Sequence, residues 1–99
     1  MNYKSKLLRQ VKNDIREAAK YYNLQQKGLG LRFLKEVNSR VATIGKQPKS
    51  FQIRYREVRM ALLKKFPYTI HYLLDEESKQ IIILAVFHHA KDPAKWIQE

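Results

Sequence analysis

The chain has 99 residues, 44% of them hydrophobic, and its 20 lysines and arginines against 9 aspartates and glutamates give a formal net charge of +11. This length and apolar content predict a single globular domain, residues 1–99, and exclude a disordered tail. The chain has no cysteine, which excludes disulfide scaffolds, thiol catalysis and cysteine-based zinc sites. No signal peptide or membrane-spanning run can be found, so we expect a soluble, cytoplasmic protein without a membrane partner.

Much of the positive charge lies in one stretch, residues 46–65. This stretch holds seven basic residues and a single acid, Glu57, so its net charge is +6. The seven are Lys46, Lys49, Arg54, Arg56, Arg59, Lys64 and Lys65. Such a charge density favours a contact surface for a polyanion, either a nucleic acid or an acidic protein. A solvated basic face that only aids solubility is the alternative.

The first half of the chain predicts a short strand followed by two helices. From Tyr3 to Leu8 the residues alternate with lysines, which is typical of an edge strand that lysines protect from further pairing. Apolar residues then recur at helical spacing over residues 9–24, and again from Leu29 to Ile44. The glycine-containing turn at residues 25–30 is short, so the two helices should form an antiparallel hairpin.

Two residues mark the expected end of the second helix. Gly45 is predicted to be the left-handed residue just after the last turn, because glycine adopts this conformation without steric cost. Pro48 follows as a further stop signal, since proline cannot continue the hydrogen-bond pattern of a helix. The second helix should therefore end at Ile44.

Three strands follow, at Glu57 to Leu63, Tyr68 to Asp75 and Gln80 to His88. The first places Val58, Met60 and Leu62 on one face and Arg59, Ala61 and Leu63 on the other, and the second divides its residues between two faces in the same way. The third is apolar on both faces, as expected of a central strand that is covered twice. The links between them are short, so neighbouring strands should be antiparallel. The predicted fold class is α+β: an N-terminal strand and a helical hairpin packed on a twisted antiparallel sheet, in the order β-α-α-β-β-β.

A lysine-rich corner, K-K-F-P-Y at residues 64–68, links the first two of these strands. Pro67 cannot donate a ladder hydrogen bond, so it belongs at the bend or at a strand start. Phe66 and Tyr68 are expected to anchor the bend to the core. Lys64 and Lys65 should then lie at an exposed tip.

The C-terminal run D-P-A-K-W-I-Q-E predicts one or two further helical turns. Asp92 suits the N-cap and Pro93 the first helical position. Trp96 and Ile97 are expected to point inward or toward a partner.

Four segments of the sequence resemble the RelE/ParE superfamily of bacterial toxin–antitoxin toxins. They are Y-Y at residues 21–22, G-L-G-L-R-F-L-K-E-V at 28–37, V-R-M-A-L-L-K-K-F-P-Y-T-I-H-Y at 58–72 and I-L-A-V-F-H-H-A-K-D-P-A-K-W at 83–96. The arginine before F-P-Y-x-I-x-Y, and the last strand ending in histidine before x-x-D-P-x-x-W, are similar to the ParE-type and plasmid-stabilisation branch. The resemblance covers essentially the whole chain.

This resemblance implies a growth-inhibiting toxin held inactive by an antitoxin encoded beside it. ParE-like members inhibit DNA gyrase and have no known chemistry of their own, whereas RelE-like members cut messenger RNA in the ribosomal decoding site. The ribonuclease branch has an arginine inside its central strand, where this sequence has Thr69, and a tyrosine in the tail, where it has Trp96. Gyrase binding is therefore the first hypothesis, a ribosome-dependent endoribonuclease the alternative, and a non-toxic basic nucleic-acid-binding module the third.

If the chain cuts RNA, its catalytic candidates lie at the end of the last strand. His88 or His89 would act as general base while Arg56, Arg59 or Lys91 holds the phosphate. Adjacent strand residues point to opposite faces, so both histidines rarely serve one site, and a capping or core-edge role is the alternative. His71 and the histidine pair lack the spacing and the neighbouring carboxylate of a metal site, so no metal or cofactor is predicted.

Predicted contacts with macromolecules are of two kinds. Those with the target or with nucleic acid are Arg54, Arg56, Arg59, Lys64, Lys65 and Lys91. Those with the antitoxin are Arg59, Trp96 and Ile97. For Arg59 an ion pair with Glu57 or Glu36 is the structural alternative. We expect the antitoxin to be small, acidic and partly disordered, because an amphipathic helical hairpin in a basic domain offers a groove into which such a segment can fold.

Overall fold

The computed structural model describes residues 2–88, which form two helices and a five-stranded sheet. In chain order the elements are β1 (Lys4–Leu7), α1 (Arg9–Gln25), α2 (Leu29–Lys46), β2 (Ile53–Tyr55), β3 (Val58–Leu62), β4 (Tyr68–Asp75) and β5 (Gln80–His88). The strand order across the sheet is β1-β5-β4-β3-β2. The predicted α+β class, the helical hairpin and the N-terminal edge strand are confirmed.

Strand pairing agrees with the sequence for β3, β4 and β5, whose neighbours are antiparallel. β1 instead pairs in parallel with β5, with Lys4 opposite Gln80. β2 was not predicted: its three residues pair with β3 through an irregular register, and a run this short has no recognisable alternation. A 3-10 turn at Pro48–Ser50 leads into it.

The predicted role of Gly45 is wrong. α2 continues to Lys46, and Gly45 is a buried residue inside its last turn. A Cβ atom at this position would lie 3.0 Å from the carbonyl oxygen of Tyr3, and the Tyr3 N–H donates to the Gly45 carbonyl at 2.8 Å. Gly45 therefore allows the N-terminal segment to approach the helix closely. The left-handed glycine is Gly28, with φ of 88°, directly before α2.

The main core lies between the helical hairpin and one face of the sheet. Phe33 of α2 is fully buried and is surrounded by other aromatic rings. Its ring centroid is 5.4 Å from Tyr22, 5.2 Å from Phe66 and 5.1 Å from Tyr68. The contacts to Phe66 and Tyr68 are edge-to-face, the arrangement that aromatic quadrupoles favour. This cluster attaches the part of the hairpin near the α1–α2 turn to the start of β4.

The corner between β3 and β4 forms as predicted. Its bend is closed by backbone hydrogen bonds from Leu63 to the Tyr68 carbonyl, at 3.0 Å, and from Tyr68 to the Phe66 carbonyl, at 2.8 Å. Phe66 is buried against the aromatic cluster, whereas Lys64 and Lys65 are exposed. The predicted C-terminal helix, including Asp92, Pro93, Trp96 and Ile97, lies outside the described residues.

Candidate functional site

The basic stretch at residues 46–65 does not form one patch. Arg54 lies in β2, and Arg56 lies in the turn between β2 and β3 with a positive φ of 50°. Lys64 and Lys65 follow the opposite end of β3, so roughly 17 Å of strand separates the two pairs. Each pair is exposed to solvent. The structure thus presents two basic regions where the sequence predicted a single surface.

Arg59 is half-buried on β3, and its guanidinium is already engaged. Its Nη1 donates a 2.7 Å hydrogen bond to the backbone carbonyl of Phe51. Within residues 2–88 it forms no ion pair with Glu57 or Glu36, the two partners considered from the sequence. Arg59 therefore links β3 to the segment before β2.

Glu36 of α2 has an unexpected role at the corner. Its carboxylate accepts hydrogen bonds from the backbone N–H groups of both Lys64 and Lys65, the second at 2.9 Å. A carboxylate that accepts two backbone donors fixes the path of the chain, and charge-assisted bonds of this kind are stronger than neutral ones. The two lysine side chains are consequently presented from a rigid backbone.

His88 lies in a cleft of about 590 Å³ between α1 and the ends of β4 and β5. Asp14 and Glu17 of α1 line the same cleft, and the His88 ring is 5.4 Å from that of Tyr68. Arg59 pairs with Tyr72 of β4, whereas His88 pairs with Tyr68 of the same strand. Because these two partners are four residues apart, Arg59 and His88 are separated by about 13 Å along the strand direction. The structure does not bring Arg59 together with His88. His89 and Lys91 fall beyond the described residues.

A buried hydrogen-bond chain on the other face of the sheet was not predicted. His71 is 1% exposed, with Nδ1 at 2.8 Å from the Tyr55 hydroxyl and Nε2 at 2.9 Å from Thr69 Oγ1. The Thr69 hydroxyl donates to the Phe87 carbonyl at 3.4 Å. It must then accept from Nε2–H, which leaves Nδ1 to accept from Tyr55. Burial lowers the pKa of His71 to about 4, so the ring is neutral at physiological pH.

The outer side of the helical hairpin carries an apolar groove of about 580 Å³, which we call the hairpin groove. It is lined by Arg16, Ala19, Lys20, Asn23, Leu24, Gly30, Leu31 and Leu34. The helices can meet closely here because a Cβ atom on Gly30 would lie 2.3 Å from the Ala19 carbonyl oxygen. Leu24 is 87% exposed and Leu31 57% exposed, while Arg16 and Lys20 supply positive charge at the edge. The sequence predicted a groove on the hairpin without these residues.

Residues 2–88 contain no group of three or more histidine, cysteine, aspartate or glutamate side chains placed to hold a metal ion. Neither α1 nor α2 has the length and the apolar character of a membrane-spanning helix.

Solved structures with the same fold come from toxin–antitoxin systems. The chromosomal ParDE system of P. aeruginosa matches with a TM-score of 0.74 and 17% identity, over 87% of this chain and 95% of that one. A mutant of the E. coli toxin RelE in the free state matches with a TM-score of 0.69 and 11% identity, over 97% and 93%. The RelBE2 complex of Mycobacterium tuberculosis gives 0.63 and 15%, over 89% and 99%. Identities this low establish the fold alone.

A comparison with curated protein sequences gave no match. A family model does match: the ParE toxin of the type II toxin–antitoxin system parDE, over residues 6–93. This match spans most of the chain and confirms the resemblance found from the sequence motifs. The chain therefore belongs to the ParE toxin family and is a toxin of the type II toxin–antitoxin class.

Proposed function

We propose that this toxin acts in the cytoplasm and stops growth by binding DNA gyrase, without cutting RNA. We further propose that a small acidic antitoxin neutralises it by folding into the hairpin groove. The first proposal depends on the surroundings of Thr69 and His88, and the second on the exposed leucines of the hairpin.

Thr69 carries the argument against RNA cleavage. It occupies the strand position where the ribonuclease branch has an arginine, and its side chain is 6% exposed. Its hydroxyl is bonded to His71 and to the Phe87 carbonyl. A hydroxyl that is buried and engaged in this way cannot contact a phosphate, and it offers no positive charge to a developing phosphorane. This supports inhibition by binding.

The cleft beside His88 supports the same conclusion. A general base for RNA cleavage works next to cations that hold the scissile phosphate. Among residues 2–88, the charged side chains that line this cleft with His88 are instead the carboxylates of Asp14 and Glu17. Negative charge at this position repels a phosphodiester, so the cleft disfavours RNA as a substrate.

The hairpin groove supports an acidic antitoxin. Leu24 and Leu31 expose apolar surface that a monomeric protein usually covers, and such patches commonly mark protein interfaces. Arg16 and Lys20 at the edge would attract acidic side chains of a helix lying in the groove. The similar structures from E. coli and M. tuberculosis include complexes of a RelE-type toxin with its antitoxin.

Induction of the gene in a bacterium, with and without the adjacent antitoxin gene, tests the target. We expect growth arrest with DNA-damage signalling, and inhibition of gyrase supercoiling by the purified protein. Co-expression of the antitoxin should reverse both effects. Messages cut within codons, together with translation arrest, would instead establish the ribonuclease alternative. Normal growth would overturn toxicity itself.

Charge substitutions in the groove test the antitoxin site. Leu24→Asp and Leu31→Asp should each weaken binding of the adjacent gene's product by about tenfold or more, because burying a leucine contributes about 1.5–3 kcal/mol. Ile53→Asp is the matched control, since Ile53 is a comparably exposed apolar residue on β2. Titration calorimetry measures the affinities. Equal losses for the groove and control variants would place the antitoxin elsewhere.

A further inference from the structure

We propose that the surface where α2 meets the β3–β4 corner binds the sugar–phosphate backbone of a nucleic acid. Four cationic residues define this surface, which we call the corner patch. They are Arg32 and Arg40 of α2 and Lys64 and Lys65 of the corner. This inference goes beyond gyrase binding and does not depend on which target the toxin has.

The patch is assembled by direct contacts between helix and corner. Glu36 lies one helical turn from Arg32 and one turn from Arg40, and its carboxylate holds the backbone of Lys64 and Lys65. Arg40 in turn donates from Nε to the Leu62 carbonyl at 2.9 Å. The cations of two distant sequence segments are therefore fixed relative to each other before any ligand binds.

Within residues 2–88, no acidic side chain forms an ion pair with these four cationic residues. The ion pairs within residues 2–88 join Lys49 and Lys79 to Glu76, at the far turn between β4 and β5, and none involves Lys64 or Lys65. Glu36 is the acid among these residues, and its Oε2 atom is directed at backbone N–H groups. Both ammonium groups remain at the surface.

The chemistry of the corner patch favours phosphate over an acidic protein segment. Protein partners obtain most of their affinity by burying apolar and aromatic side chains. Phe33 and Phe66 of the adjoining aromatic cluster are already buried in the core, whereas Leu62 and Pro67 beside the corner stay exposed. Phosphate contacts do not require burial of apolar surface, because the release of counterions from the nucleic acid provides the driving force. The hairpin groove, with its exposed leucines, is the contrasting case.

The dimensions of the patch also fit a nucleic-acid strand. Arg32 and Arg40 are eight residues apart on α2, which corresponds to about 12 Å along the helix axis. One strand of a duplex carries a phosphate for roughly every 3.4 Å of axis. The corner patch can therefore face about three or four consecutive phosphates.

Fluorescence anisotropy with a labelled 20-base-pair DNA duplex of arbitrary sequence tests the proposal, using the purified 99-residue chain between 50 and 200 mM KCl. The double variant Lys64→Ala/Lys65→Ala should bind about tenfold more weakly. Its slope of log affinity against log salt should be shallower by about 1.8, since each phosphate contact contributes about 0.9. Lys4→Ala/Lys6→Ala is the matched control, because it removes the same charge from exposed residues of β1 and should change affinity less than about threefold.

Glu36 provides a second and sharper test. Glu36→Ala makes the protein more positive, so attraction by net charge alone would strengthen DNA binding. If the carboxylate positions the corner, Glu36→Ala should instead weaken binding by about threefold or more. Glu36→Gln, which keeps a hydrogen-bond acceptor, should bind at least as tightly as the parent. Thermal unfolding verifies that each variant is folded.

Two outcomes would overturn the proposal. Equal losses for the corner and β1 double variants would show that DNA responds to overall charge and not to this patch. Unchanged DNA binding by the corner variant, combined with weaker binding to the acidic antitoxin, would assign the patch to a protein partner.

Discussion

The two faces of β4 are held in place by different interactions. On the helix side, Tyr68, Ile70 and Tyr72 pack into the core, and Tyr68 meets Phe33 edge to face. On the opposite side, Thr69 and His71 are also buried, but they are joined by a chain of hydrogen bonds that includes a titratable ring. Apolar packing keeps its strength when protons bind, whereas the hydrogen-bond chain depends on a neutral histidine. The two faces should therefore respond differently to mutation and to pH.

The same contrast bears on function. The helix face anchors the corner that presents Lys64 and Lys65, through the aromatic cluster around Phe33. On the opposite face, Thr69 stands where the ribonuclease branch has an arginine, and its hydroxyl is hydrogen-bonded within the fold. Under the proposed function, Thr69 does not serve catalysis because its side chain is needed for the fold.

The largest expected effect comes from removing a buried side chain between the helices and the sheet. Phe33→Ala removes a side chain that is fully buried among aromatic rings, and should lower the free energy of unfolding by about 3–5 kcal/mol. The loss should be equal at pH 7 and pH 5, because no ionisation is involved. Urea denaturation at both pH values measures it. Leu31→Ala, at an exposed position of the same helix, is the control and should change stability by less than about 0.5 kcal/mol. A loss that grows at pH 5 would break the distinction between the faces.

The second effect comes from protonation of His71 on the opposite face of the sheet. Because the pKa of His71 is lowered from 6.5 to about 4, the unfolded chain binds a proton below pH 6.5 that the folded chain rejects until about pH 4. As the pH is lowered through this window, the free energy of unfolding should therefore decrease. Relative to pH 7, the loss should be about 2 kcal/mol at pH 5 and about 3 kcal/mol at pH 4.

A substitution at His71 isolates this contribution. His71→Gln removes the titratable ring, and its free energy of unfolding should be nearly constant between pH 7 and pH 5. Below pH 4.5 a further loss enters in both proteins, because a hydrogen bond from Lys49 and another from Tyr3 lower the pKa of Glu76 to about 2. Parallel pH profiles above pH 5 for the parent and the variant would contradict the proposed role of His71.

The smallest of the three effects concerns one hydroxyl. In Thr69→Val the new side chain has nearly the shape of threonine but leaves the Nε2–H of His71 without its acceptor. This should lower the free energy of unfolding by about 1–3 kcal/mol. Thr69→Ser retains the hydroxyl and loses one methyl group, so its cost should stay near 0.8 kcal/mol. Thermal unfolding at pH 7 compares them. A serine variant as unstable as the valine variant would mean that packing, and not the hydrogen bond, determines stability here.

Local sequence patterns predicted most of the fold. The bounds of β4 and β5 agree with the alternation of Tyr68 to Asp75 and the apolar run of Gln80 to His88. The K-K-F-P-Y corner was predicted with its anchors because proline and aromatic residues act over a few positions. β2 and the true end of α2 were missed. The strand is short, and Gly45 is needed for contact with Tyr3, which the helix sequence does not reveal.

The candidate sites were predicted less well, since their partners are far apart in the chain. Glu36 and Lys64 are separated by 28 residues, and Tyr55 and His71 by 16. No local pattern says which backbone N–H a glutamate will meet. The separation of Arg59 from His88, and the division of the basic stretch into two regions, likewise follow from strand pairing and not from composition.

The sequence by itself determined the class of fold, the family and the strong positive charge, because periodicity, motifs and composition are properties of neighbouring residues. Tertiary structure decided which of the charged and polar residues are available to partners. Folding buries Thr69 and His71, engages Arg59 with a carbonyl and directs Glu36 at the corner, while Lys64, Lys65 and the leucines of the hairpin groove stay exposed. The physical reason is that each polar group brought into the interior must find a hydrogen-bond partner there, and that partner comes from another part of the chain.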